Sequence, residues 1–182
     1  MELRRLEEQE HQKTRKLWEE VFSDDTRAFL DYYYFIKTKE NEIWVIEEDG
    51  ELQSMLQLNP YQLQVAEHPF LCRYIIAVAT RAQYRSRGYM SSLLRKAMQE
   101  MYGKKEPFTF LMPAAEAIYT PYDFRFVYSQ RQAVFEKKAE TELIEEEDAT
   151  MFQAEELAAF AKERLFGTAR VYAVRDAHYY QT

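Results

Sequence analysis

Ile75-Ile76-Ala77-Val78-Ala79-Thr80, running into Arg81-Ala82-Gln83-Tyr84-Arg85-Ser86-Arg87-Gly88-Tyr89-Met90, is the stretch on which the fold of this chain turns. Its first part, taken back to Phe70, is an apolar run bounded by turn residues and predicts a long buried strand over Phe70–Thr80. After Gly88 the residues Met90, Leu93, Leu94, Ala97, Met98 and Met101 recur at helical spacing, predicting a helix over 88–102 that Gly103 stops. A second strand is expected at Phe108–Met112. Strand, helix, strand in this order is a crossover, and the two strands it joins lie parallel. Ligands of such sheets sit beyond the carboxyl end of a strand beside the next helix, which here means Thr80 to Met90. The first amides of a helix lack internal partners and carry the positive end of its dipole, so this loop can point several donors at a phosphate. Gly88 lets the backbone approach closely. Arg85 and Arg87 add charge, although arginines on a surface helix are often simply solvated.

Working outward, a short strand is expected at Glu2–Arg5. Thr14, Leu17, Trp18, Val21 and Phe22 mark a helix from about Glu8 to Phe22. Asp24 or Asp25 can cap a second helix carrying Phe29, Leu30, Tyr33 and Tyr34 and running to about Thr38. Strands follow at Ile43–Ile46 and Leu52–Leu58 around the turn Glu48-Asp49-Gly50, then at Tyr61–Ala66 after Asn59-Pro60, with Glu67-His68-Pro69 as the next turn. Downstream of the crossover a short helix over 114–119 ends at Pro121. Strands are expected at Phe124–Tyr128 and Gln132–Lys137, a solvated acidic run at Glu145–Asp148, a helix around Leu157–Leu165 and a last strand at Val171–Val174. The fold class is α+β: a mixed, mainly antiparallel sheet flanked by helices, with the crossover at the ligand site.

A chain of 182 residues can bury a sizeable core, and 47% apolar beside 30% charged residues is the balance of a globular protein. No stretch reaches the roughly 20 apolar residues of a membrane span, and Met1-Glu2-Leu3-Arg4-Arg5 lacks the apolar core of a signal peptide, so the expected location is cytoplasmic. Cys72 is the single cysteine and has no neighbour at metal-ligand spacing, which argues against a metal site and an internal disulfide. His11, His68 and His178 are scattered and read as surface or turn residues. The net charge of −7 speaks against binding nucleic-acid phosphates and faintly favours cationic substrates.

Arg85-x-x-Gly88-x-Met90 resembles the pyrophosphate loop of GNAT acetyltransferases, with Met90 where a small residue is usual. The order Ile76-Ala77-Val78-Ala79-Thr80, Tyr84–Met90, then Ile118-Tyr119-Thr120-Pro121-Tyr122-Asp123-Phe124 resembles the N-terminal GNAT domain of the Eis-like branch more specifically. That resemblance implies a donor, acetyl-CoA, held in three ways. Backbone groups of Val78 and Thr80 pair with its pantetheine arm, amides from Arg85, Ser86, Arg87, Gly88, Tyr89 and Met90 hold its pyrophosphate, and Tyr119 protonates the departing thiolate. The alternative for Tyr119 is a packed tyrosine with its hydroxyl at the rim. A substrate amine would attack the acetyl carbonyl directly, without metal and without an acyl-enzyme; Cys72 reads as a buried structural thiol. Glu116, one turn from Tyr119, is a possible base beside a water relay.

The resemblance covers about residues 1–140, read as the acetyltransferase domain, and leaves 141–182 as the start of a second GNAT-like region or an extension. It implies a small-molecule amine as acceptor, aminoglycoside-like or polyamine, no nucleic-acid or membrane partner, and possible homo-oligomers. The competing reading is a non-catalytic acyl-CoA-binding or assembly module.

Overall fold

The computed structural model describes residues 1–127, 152–165 and 168–182. Six strands, β1 (Glu2–Arg5), β2 (Glu42–Glu48), β3 (Glu51–Val65), β4 (His68–Thr80), β5 (Thr109–Phe110) and β6 (Val171–Ala173), form one sheet. Its order is β1-β2-β3-β4-β5, with β6 joining β3. Every pairing is antiparallel except β4 with β5, which is parallel, as a crossover through α3 (Tyr89–Gly103) requires. The remaining helices are α1 (Arg15–Val21), α2 (Arg27–Phe35), α4 (Glu116–Tyr119), α5 (Ala154–Leu165) and α6 (Ala177–Gln181).

Alternation along β2 sets the layers. Ile43 and Val45 face α1 and α2, packing with Leu17, Trp18, Leu30, Tyr33 and Tyr34, while Trp44 and Ile46 face α3 and pack with Leu93, Leu94, Ala97 and Met101. Each fully buried leucine contributes on the order of 1.5–3 kcal/mol. The turn at Asp49-Gly50 has both residues at positive φ, which is the two-residue geometry that suits twisted antiparallel strands.

Several expected boundaries move. Residues Glu8–Thr14 wind as a 3-10 helix ahead of α1, fixed by a Glu7/Glu10 capping box and by the Thr14 hydroxyl donating to the His11 carbonyl at 2.7 Å. The cap of α2 is Thr26, whose hydroxyl accepts the Phe29 N–H; Asp25 instead accepts the Trp18 indole N–H at 2.7 Å. Helix α2 stops at Phe35, and Lys37–Glu40 is a separate 3-10 turn.

The two strands expected on either side of Asn59-Pro60 are one strand, β3. The Gln62 carbonyl accepts Val174 N–H from the β6 side. Since backbone polarity alternates, Pro60 turns its missing N–H to that same side, between the last pair with β2 (Leu58–Glu42) and the first with β6 (Leu63–Ala173). No ladder bond is lost there. The turn before β4 is Ala66-Glu67, and His68 and Pro69 are already strand residues.

Downstream, β5 is shorter than expected. Helix α4 gives way at Thr120–Tyr122 to a 3-10 turn that contains Pro121. Residues 124–127 form no strand; Asp123 is left-handed, and Arg125 bonds the Thr120 and Phe124 carbonyls and the Asp123 carboxylate. Tyr128, the expected strand over 132–137 and the acidic run at 145–148 lie outside the described residues. Helix α6, capped by Asp176, was not legible as a helix. Among the described residues no helix is long and apolar enough to cross a membrane.

Candidate functional site

The site begins with an irregularity in β4. Met55 pairs with Ala79 but Gln57 with Ile76, so β4 carries one extra residue, and Ala77 adopts a φ of +51°. Such a bulge breaks the alternation: Ile76 and Ala77 both face the α1/α2 layer, and Val78 faces α3. Parallel pairing of β4 with β5 ends at Tyr74 and Phe110. From Ile75 to Thr80, β4 therefore has no strand on that side among the described residues, and its backbone groups form an open edge.

At the end of that edge the chain is pinned. The Thr80 and Ser54 hydroxyls are 2.7 Å apart, Arg81 N–H donates to the Gln53 carbonyl at 2.9 Å, and the Arg81 guanidinium is paired with Glu20 and Glu51. After a 3-10 turn at Ala82–Tyr84, Ser86 and Gly88 take φ of +62° and +80°, and Gly88 caps α3. A Cβ on Gly88 would meet no protein atom, so glycine is needed there for its φ, and the space in front is open.

That space is a cavity of about 250 Å³. Of the residues expected at the site, Thr80, Arg85, Ser86, Gly88, Tyr89 and Met90 line it, joined by Tyr84, Ser91 and Tyr122, which the sequence reading did not assign. Arg85 is the charged residue of the lining, and its Nε donates to the Thr80 carbonyl at 3.2 Å. Val78 and Arg87 do not line it. The Val78 side chain packs against the apolar cluster under α3, and the Arg87 guanidinium lies 4.7 Å from the Tyr84 ring centre. The missed residues carried a partial signal. Tyr84 stands in the loop itself, but only the fold of 116–124 across α3 brings Tyr122 to it.

Tyr119 closes α4 and is half-buried, packed against the same apolar cluster as Val78, Met90 and Tyr122, with its ring 5.8 Å from that of Phe124. It is not among the residues lining the cavity. Burial pushes its phenol pKa up, so the hydroxyl holds its proton at neutral pH. Glu116 is exposed at the start of α4. Cys72 is fully buried, and desolvation together with the Glu106 charge pushes its thiol up to about 11, which leaves almost no thiolate. His68 and His178 are exposed, but His11 is not the surface residue it was expected to be. It is buried, its Nδ1 lies 2.8 Å from the Thr38 carbonyl, and burial lowers its pKa. A second cavity of about 520 Å³ opens between α1 and α2, where Arg15 is held by Glu19 and Asp31. No cluster able to hold a metal ion occurs among the described residues.

Among the described residues, the fourth and fifth strands of the sheet thus part beside the N-terminus of α3, with an open strand edge leading to it. The model of the acetyltransferase (GNAT) domain matches residues 2–127, and the chain belongs to that family. Solved structures share the fold. A probable N-acyltransferase from Enterococcus faecalis V583 is 17% identical with a TM-score of 0.62 over 66% of this chain and 31% of its own. A predicted acetyltransferase from Clostridium acetobutylicum, crystallised with acetyl-CoA, is 13% identical with a TM-score of 0.62 over 73% of this chain and 95% of its own. Glucosamine-6-phosphate N-acetyltransferase from Arabidopsis thaliana is 16% identical with a TM-score of 0.56, over 74% and 98%. The chain thus spans less than a third of the Enterococcus protein. Among curated proteins none matches.

Proposed function

We propose that this chain transfers the acetyl group of acetyl-CoA to a primary amine of a small molecule by direct attack. The observation that carries the reading is the cavity at the start of α3, reached along the edge of β4 that no strand among the described residues covers. Backbone groups of Val78 and Thr80 would pair with the pantetheine arm as a further strand, displacing Arg85 from the Thr80 carbonyl. Amides from Arg85 to Met90 would hold the pyrophosphate. The bulge at Ala77 would re-aim the β4 backbone beside the reacting carbonyl; as the C–S bond breaks, the protonated Tyr119 phenol would give its proton to the departing thiolate, and the proton lost by the amine nitrogen would pass through water to restore the phenol.

For the acceptor, the motif order shared with the Eis-like branch and the net charge of −7 support a cationic amine, aminoglycoside-like or polyamine. We further assign residues 1–140 as the acetyltransferase domain and 141–182 as the start of a second GNAT-like region or an extension, and place the protein in the cytoplasm, with self-association open to test. One observation favours a second reading, a non-catalytic acyl-CoA-binding module: Tyr119 stands outside the cavity lining.

Calorimetric titration with acetyl-CoA, paired with turnover on a panel of amines, separates the two. The expected result is saturable binding in both the natural chain and Tyr119→Phe, with kcat in the variant lower by about 10²–10⁴-fold. Unchanged turnover in the variant would remove Tyr119 from the chemistry. Binding without turnover on any amine would favour the module.

A further inference from the structure

We propose that Arg95, seated over Tyr122, binds the phosphate carried by the ribose of the acyl donor and so makes the protein selective for full CoA thioesters. The inference rests on reading the cavity as the acetyl-CoA site, and it concerns a part of the donor that this reading leaves unassigned.

The cavity extends from Thr80 past the start of α3 to Ser91 and Tyr122. At that end the Arg95 guanidinium stands 5.6 Å from the Tyr122 ring centre, and its Nε reaches the Ser91 hydroxyl at 3.4 Å. Ser91 and Arg95 are four apart on α3, so they share a face about one 5.4 Å turn from each other. A tyrosine face fixes the plane of a guanidinium and leaves its N–H fork pointing outward.

Charge balance singles out this arginine. Arg73 is paired with Glu42 and Glu106, Arg81 with Glu20 and Glu51. Arg85 is turned onto the Thr80 carbonyl. Arg87 lies over Tyr84 and approaches the Tyr89 hydroxyl, which is itself bonded to Glu48, so its field is already partly answered. Arg95 makes no ion pair with any described residue, and the tyrosine and serine that hold it both line the cavity.

The donor supplies the complement. Its ribose carries the pyrophosphate on one oxygen and a phosphomonoester on another, separated by about the width of the sugar ring. With the pyrophosphate on the first amides of α3, the second phosphate falls about one helical turn further along, within reach of Arg95. A phosphomonoester holds close to two negative charges at pH 7, and the arginine fork matches two of its oxygens.

Binding of acetyl-CoA and of acetyl-dephospho-CoA, which lacks only that phosphate, tests the assignment in the natural chain, Arg95→Ala and Arg95→Lys. The natural chain should bind acetyl-CoA about ten- to hundredfold more tightly than the dephospho form. Arg95→Ala should lose that preference, weakening acetyl-CoA binding to the level of the dephospho form while the affinity for the dephospho form itself stays unchanged. Arg95→Lys, a point charge without the fork, should recover part of the preference. Equal affinity of the natural chain for both donors, or equal weakening of both by Arg95→Ala, would overturn the assignment. Failure of the folded natural chain to bind either donor would overturn the acetyl-CoA reading itself, and this inference with it.

Discussion

The two faces of the sheet are held in different ways. Against α3 the buried set is apolar: Ile46, Leu56, Leu58, Ile75, Leu93, Leu94, Ala97 and Met101, with Trp44 and Tyr89 at its margin. Against α1 and α2 the apolar cluster encloses directional bonds. The Tyr33 hydroxyl stands 3.2 Å from Gln57 Oε1 and 3.1 Å from Asn59 Oδ1 and accepts from Asn41 Nδ2 at 3.0 Å, while Tyr34 and Thr14 share a bond of 2.9 Å. Burial pushes the Tyr33 phenol pKa well up and that of Tyr34 up to about 12, so both remain neutral hydroxyls. Apolar area stabilises in proportion to its extent and tolerates repacking. A buried polar set stabilises only when its partners are in place, and it selects one register. The face that backs the loop before α3 therefore relies on area, which firmly seats the N-terminus of α3. The opposite face relies on geometry and specifies how α2 lies across β3.

The largest effect should come from the apolar face. Leu94→Ala, at a position with no exposure, should destabilise the fold by about 2–5 kcal/mol in urea unfolding, through lost transfer energy and the cavity left behind. A cost near zero would mean that α3 is not packed as described. Tyr33→Phe removes one oxygen and almost no apolar area, so an area-based face would barely notice it. We expect a loss of about 1–3 kcal/mol, because Asn41, Gln57 and Asn59 then lose a buried partner. If the two variants are combined, their effects should add, since no side chain is shared between the faces.

The smallest effect separates the faces by pH. His11, buried beside the Thr38 carbonyl, is held below its ordinary pKa of about 6.5 by desolvation, against the opposing fields of Glu7, Glu8 and Glu10. Because the unfolded chain takes up the proton first, His11 should make stability decline as pH falls below about 6.5. Glu10 and Glu51, held below the usual carboxylate range by Arg4 with Lys13 and by Arg81 respectively, add their own losses only at lower pH, below about 4.5. Melting temperatures from pH 7 to 5 should show this decline in the natural chain and a flatter profile in His11→Gln. Parallel profiles would mean that His11 titrates freely.

How much of this was legible in the sequence depended on the range of the interaction involved. Helix α3 and the loop before it were readable because 3.6-residue spacing and the conformational freedom of Gly88 act within a few residues. The Asp49-Gly50 turn was readable for the same reason. Asn59-Pro60 looked like a break, since the gap between β2 and β6 that excuses the proline involves a strand more than a hundred residues away. His11 looked exposed because its burial is decided by Thr38, across a helix pair.

What the sequence determined by itself was the alternation that gives the sheet two buried faces, the crossover, and the glycine-started helix with its cationic loop, all consequences of local backbone chemistry and periodicity. The tertiary structure alone decided the bulge at Ala77, the point where β4 and β5 part, and the meeting of Tyr84, Ser91 and Tyr122 at one cavity. Those depend on strand register and on the path of a later segment across α3, which are set by burying whole faces together and leave no periodic mark in the chain.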